Sequence, residues 1–150
     1  MTTEEKIDSI RNHIQNVERN CYKLGKKLII EGEIDLGVAL IANGLKHDNS
    51  KFFGIEFEHL YREDELMKIA AKNHALTNPH HPEHWGGIHN MPDLYIAEMV
   101  CDCTARSSEF GDNVFEWFSG KYASKHGYTK NSLMHKKIER YLKLLLDKPF

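Results

Sequence analysis

The sequence predicts an all-helical protein, one bundle of about five to six helices over residues 1–150, and three observations carry that expectation. Apolar residues recur at steps of three and four through most of the chain. No stretch alternates with the period of two that a half-buried strand requires. The breaks between periodic segments are short and punctuated by glycine or proline, without repeats or low-complexity linkers. At 150 residues the chain fits one domain whose core needs no covalent staples.

Thr2 with Glu5 forms a capping box that opens the first helix. Its stripe is Ile7, Ile10, Ile14, Val17, Cys21 and Leu24, and His13 falls beside Ile14 at the stripe's edge, toward the core boundary. Gly25 is expected to break this helix, and Gly32 separates the Leu28–Ile30 run from the second helical segment. Ile34 to Leu45 predicts a nearly buried second helix ending around His47-Asp48, with Gly44 a mild weak point, and Asn49-Ser50 then turns the chain. A third helix is expected from Glu56 to Leu76. Phe57, Leu60, Tyr61, Leu66, Met67, Ile69, Ala70 and Ala71 supply its apolar side, Glu63-Asp64-Glu65 a solvated patch, and His74 lies in its last turn.

Asn78 to Asn90 carries two prolines, two glycines and four of the ten histidines, so it reads as a loop with a function. Asn90 and Pro92 look like the cap and first turn of a fourth helix running to Phe110, which Gly111 ends. Glu98, Asp102 and Arg106 share a face of it, either as a surface ion-pair ladder or as a functional row. Asp112–Tyr122 predicts a fifth helix, and Asn131–Asp147 a basic amphipathic sixth whose apolar face closes the core.

Composition excludes several classes of function. A hydrophobic content of 41% and a charged content of 28% are those of a water-exposed globular protein. A net charge of −2 offers no electrostatic footprint for strong nucleic-acid binding or for an anionic membrane. No apolar run approaches the roughly 18 residues that cross a bilayer, and no signal peptide is apparent. Cys21, Cys101 and Cys103 are odd in number and lack a CxxC spacing. They read as reduced thiols of a cytoplasmic protein, and as buried small side chains rather than zinc ligands. A homo-oligomer is compatible with all of this.

The ten histidines are the outlier, dispersed from His13 to His135. His47-Asp48 offers an imidazole and a carboxylate from adjacent positions, which suits a borderline divalent cation. With His13 before it and His74, His80, His81 and Asp102 after it, the order is H, HD, H, HH, D. In a bundle these points can meet at one cleft. His13, His47, Asp48 and Asp102 make one four-ligand position. His74 with His80 and His81 makes a second, with Asp48 placed to bridge. Two ions ~3.5–4 Å apart would suit phosphoryl transfer.

The order His13, His47-Asp48, Asp102 resembles the signature of the HD superfamily of metal-dependent phosphohydrolases. His74 and His80-His81 resemble the additions of its binuclear branch, which includes cyclic-dinucleotide phosphodiesterases. His47-Asp48-Asn49-Ser50-Lys51 is similar to that branch's HDxGK segment, with Ser50 where glycine is usual. The whole chain resembles a small family of HD-related bacterial and phage proteins with an HDxSKF segment and a histidine-rich loop. Two departures bear on the details. The interval from His74 to the doublet is only six positions, so either His74 is no ligand or both come from a compact turn, and no GYP-type segment follows. Cyclic-dinucleotide specificity is therefore not implied.

The resemblance implies an HD-like helical bundle holding one or two divalent ions (Mn, Fe, Ni, Zn, Co or Mg). The ligands would be His13, His47, Asp48, His74, His80, His81 and Asp102. A metal-activated water would attack the phosphorus of a nucleotide or other small phosphate ester, with Asp48 and Lys51 as catalytic residues. Lys51 is equally readable as a solvated lysine. Glu98 is placed to hold a ligand histidine's distal N–H. Arg106 is a phosphate candidate or a simple partner of Asp102 or Glu98. His84, Trp85 and His89 are candidates for a substrate pocket, Trp85 also for a loop anchor. Two other readings share the ligands: a di-iron oxygenase, as in the HD-related myo-inositol oxygenase, and a regulatory module that keeps metal only for stability.

Overall fold

Thr2 accepts from the Glu5 amide while the Glu5 carboxylate accepts from the Thr2 amide, and this reciprocal cap starts α1 (Thr3–Ile30). The computed structural model describes every residue except Tyr61 and Glu63; the expectations placed on those two lie outside the described residues. Among the described residues all regular structure is helical. α1 buries Ile10, His13, Val17, Cys21, Leu24 and Leu28 on one stripe, so His13 lies within the buried face at 1% exposure, not at its edge.

Gly25 does not break α1. It sits where α2 (Ile34–Gly44) crosses, and a Cβ there would lie 2.6 Å from Ile41 and 2.7 Å from the Gly37 carbonyl. A Cβ on Gly37 would collide with the Gly25 carbonyl, and one on Gly44 would fall 2.7 Å from Cys21 Cβ. The glycines are there for close approach: α1 and α2 pack backbone to backbone along a seam with no room for side chains.

The expected third helix is two. α3 (Gly54–His59) ends at Leu60, whose extended backbone (ψ 140) leaves the helix. α4 (Glu65–Thr77) starts afresh where Asp64 accepts from the Met67 amide, so one member of the acidic patch is a cap. α5 (Asp93–Phe110) starts after Pro92, with Asn90 one turn before it, and stops at Gly111 (φ 75). The expected fifth helix is also divided. Asn113 caps α6 (Val114–Ser119), and Gly120 (φ −116, ψ −98) bends the chain into α7 (Lys121–His126). α8 (Leu133–Leu145), capped by Ser132, buries Ile138, Tyr141, Leu142, Leu144 and Leu145.

The core joins α1, α2, α5, α6, α7 and α8 around Leu24, Leu28, Leu40, Ile96, Val100, Phe118, Ile138 and Leu142, all essentially inaccessible. Each such side chain contributes ~1.5–3 kcal/mol on burial. Among the described residues no helix is long and apolar enough to cross a membrane. α1 and α5 run through this core and present their polar middles to one side, which places the site.

Candidate metal centre

Four stretches bring histidines and aspartates to one point. His13 projects from the middle of α1, and Asp102 from the middle of α5. His47 and Asp48 sit in the turn after α2, where Asp48 adopts a left-handed backbone (φ 55, ψ 20). Adjacent residues on a helix point about 100° apart; the left-handed turn, which Asp tolerates, lets both side chains face the same centre. His74 comes from the last turn of α4. Asn78 then accounts for the short interval to the doublet: its backbone and side-chain amides donate to the His74 carbonyl (3.1 and 2.9 Å), and its side chain also donates to the Ser50 hydroxyl (3.1 Å). The chain doubles back and sets the His80 ring 6.0 Å, and the His81 ring 4.9 Å, from that of His74. All seven expected ligand residues meet.

Asp48 is the hub. Its Oδ2 lies 3.3 Å from His47 Nε2 and 3.7 Å from His13 Nε2, while its Oδ1 lies 3.2 Å from His74 Nε2 and 3.1 Å from His80 Nε2. Asp102 Oδ1 lies 2.8 Å from His13 Nε2 and 3.7 Å from His47 Nε2, and its Oδ2 3.5 Å from His80 Nε2. Two ligand groups result, His13–His47–Asp48–Asp102 and His74–His80–His81, each with donor atoms within 4.8 Å of one another.

The other ring nitrogens are held from outside. His13 Nδ1 donates to Glu109 (2.9 Å), His47 and His80 Nδ1 both donate to Glu98 (3.2 and 2.8 Å), and His74 Nδ1 donates to Glu56. A proton committed to Nδ1 leaves Nε2 with a lone pair, the form in which imidazole binds metal. Those lone pairs then face carboxylate oxygens, which also only accept. The Nε2 atoms of His13, His47, His80 and His81 and the Asp48 Oδ1 are buried and make no hydrogen bond. Such groups are costly unless a cation joins them. His47, His80 and Glu98 form a third cluster, but there Glu98 already accepts from both rings and acts through them.

The electrostatics show the same demand for positive charge, which protons on His47 and His80 meet when no ion is bound. Burial would lower His47, yet Asp48 and Asp102 hold it well above the usual histidine range. Burial also works against His80, and the facing Asp48 and Glu98 carboxylates override it and push it up to about 9. Burial would raise Asp48, Asp102 and Glu98. The facing histidines instead hold the two aspartates well below the carboxylate range and Glu98 at about 2. His81, pressed by burial and by the neighbouring His80 charge, drops to about 3 and stays neutral. The centre is built to hold positive charge, and its buried His, Asp and Glu groups fit a divalent metal with mixed N/O ligands.

The centre forms the floor of a cleft of about 360 Å³ lined by Asp48, His74, His81 and Asp102. Lys51, Arg106 and Lys125 stand on its walls with Glu83, which lies 3.9 Å from Lys125, and Leu60, Ala71 and Ala75 give an apolar side. Lys51 is 4% exposed, not solvated, and its Nζ is 2.9 Å from Asp48 Oδ2. Arg106 Nη1 lies 3.7 Å from Glu109, while Glu98 and Asp102 face the buried His47 and His13. His84, Trp85 and His89 stand outside this cleft. The Trp85 indole donates to the Pro79 carbonyl (2.8 Å) and packs on Tyr95, His84 donates to the Leu76 carbonyl (2.7 Å), and His89 reaches Gly127. They pin the loop that carries His80 and His81. The three cysteines are free thiols, and among the described residues none belongs to a potential metal group.

Glu56 and Glu109 escape the sequence reading. Glu109 carries a weak signal, seven residues after Asp102 and thus on the same face of α5; Glu56 carries none, because only the fold brings α3 beneath His74. No curated protein and no solved structure matches the chain. A family profile described as "Family of unknown function (DUF5662)" matches residues 2–148, nearly the whole chain, and the protein belongs to that family.

Proposed function

We propose that this protein is a metal-dependent phosphohydrolase of the HD type, acting in the cytoplasm on a nucleotide or another small phosphate ester. The observation that carries the reading is the hub geometry. Asp48 offers one oxygen to His13 and His47 and the other to His74 and His80, at the floor of a cleft that Lys51, Arg106 and Lys125 also line. Bound divalent ions would supply a water of lowered pKa and a Lewis acid for in-line displacement at phosphorus.

The chain's own residues do the rest. His13, His47, Asp48 and Asp102 would hold one ion, and His74, His80 and His81 with the second Asp48 oxygen another. Glu98, Glu109 and Glu56 fix the ring orientations and keep the Nε2 lone pairs directed inward. Lys51, buried against Asp48, orients that carboxylate and places an ammonium where phosphate charge develops. Arg106 and Lys125 at the mouth would bind non-bridging oxygens. The free thiols of Cys21, Cys101 and Cys103 fit a reducing compartment.

The test combines elemental analysis of protein purified without chelator with phosphate release from a panel of nucleotides and sugar phosphates under Mn, Ni, Co or Mg. Release that needs metal and disappears in Asp48→Ala is the expected result. Two irons per chain with oxygen consumption and no phosphate release would replace the hydrolase by an oxygenase. Tight metal with neither activity would leave a binding module.

A further inference from the structure

The two sides of α2 are inverted for a helix on a globular surface. Its inward side is Gly37 and Gly44, where the seam with α1 has no room for a Cβ, together with the buried Leu40 and Asn43. Leu40 is fully buried and Leu36 packs on the core, but other bulky residues face out: Ile34, Val38 and Leu45 are 57%, 55% and 66% exposed, with Ile41 half-buried between them. Steps of four, three and four put these on one stripe. Tyr22 of α1, 53% exposed, extends it, and Tyr22, Ile41 and Leu45 line a shallow groove of about 310 Å³ with Gln15, Glu18 and Arg19 on its rim. Contiguous apolar surface of this kind marks an interaction site.

We propose that this face pairs with the same face of a second copy of the chain, α2 lying antiparallel to the partner's α2 about a two-fold axis. The stripe is its own complement under reversal: Ile34 meets the partner's Leu45, and Val38 meets the partner's Ile41, as an isologous contact requires. The charges reverse in the same way. Glu31 and Asp35 are exposed at the start of α2, and Lys46 is exposed just past its end. Antiparallel pairing sets each Lys46 against the partner's acidic end and aligns the helix dipoles favourably. An anionic membrane would want cations flanking the stripe, and the start of α2 is acidic. An eleven-residue helix is only about 16 Å long, so α2 alone falls short of the roughly 800 Å² per partner of a standard interface, and the Tyr22 groove belongs to the contact.

Sedimentation of the full chain from about 1 to 200 µM tests this. The expected mass rises with concentration from 17.4 kDa toward twice that value. Val38→Glu, with an unchanged helical spectrum, should raise the dissociation constant by roughly tenfold or more. Lys46→Glu should weaken the dimer, and adding Asp35→Lys to the same chain should restore it. A parent protein that stays at 17.4 kDa throughout, or a Val38→Glu variant that dimerises as the parent does, overturns the proposal. If Val38→Glu fails to fold, the charge reversal at two exposed positions decides: failure of the double variant to recover counts against it.

Discussion

At the scale of single residues, the glutamates behind the histidines make the centre more than a cluster of ligands. Glu98 accepts from both His47 and His80, so one carboxylate fixes a ring in each ligand group. Glu98→Gln preserves shape and an acceptor oxygen but removes the charge that strengthens both bonds. It should weaken metal binding by about 10–100-fold while leaving the stoichiometry intact, the usual cost of disturbing a ligand's outer partner. Asp48→Ala should instead abolish stoichiometric binding, since both groups lose a shared oxygen donor. Titration against a chromophoric chelator separates the two, and unaltered affinity in Glu98→Gln would show that the rings are held by packing alone. The candidate ligands are legible in the sequence because ten histidines stand out in the composition and their order along the chain is informative. Glu56 and Glu109 are not, because 22 acidic residues offer no contrast. His84 and Trp85 mislead for the converse reason: they look functional from type alone, but their ring N–H groups serve the backbone of the loop.

At the scale of elements, helical periodicity yields the order of the helices, and its failures are local. Gly25 reads as a stop because a glycine's freedom and its smallness leave the same letter in the sequence. The structure uses its smallness, within a continuous α1. The divided third and fifth helices are invisible for a related reason: Leu60 and Gly120 leave the helix without disturbing the apolar spacing on either side. The seam makes a quantitative claim. Alanine elsewhere in a helix gains up to ~1 kcal/mol over glycine. At Gly37 the added carbon would strike the Gly25 carbonyl and lie 2.7 Å from Ile29 Cγ1, contacts with backbone and a packed side chain that cannot both yield. Overpacking of that kind costs about 1–3 kcal/mol. Gly37→Ala should therefore be destabilising in urea despite its better propensity. A stabilised variant would mean the two helices have slack between them.

At the scale of the whole molecule, the centre and the core are separable devices. The hydrophobic core runs through α1, α2 and α5 to α8 without the ligand side chains, so it can hold the fold with no metal bound. The ligands nonetheless come from four separate stretches between residues 13 and 102, and two of these, the turn after α2 and the loop after α4, lack long helices of their own. An ion bound there would therefore tie the least supported segments to α1 and α5. Binding to the folded state alone adds about 2.7 kcal/mol when free metal exceeds its dissociation constant 100-fold. For a chain of 150 residues each kcal/mol moves the melting temperature by about 2–4 °C. Chelation should thus lower the melting temperature by about 5–10 °C while leaving the helical spectrum at 25 °C unchanged. Hydrogen exchange should locate the loss, with faster exchange over residues 45–53 and 78–90 and unchanged protection at Leu24, Val100 and Leu142. Asp48→Ala provides the control: a chelator shift of equal size in that variant would place the stabilising ion elsewhere. Global unfolding on chelation would make the ion part of the fold rather than a guest of it.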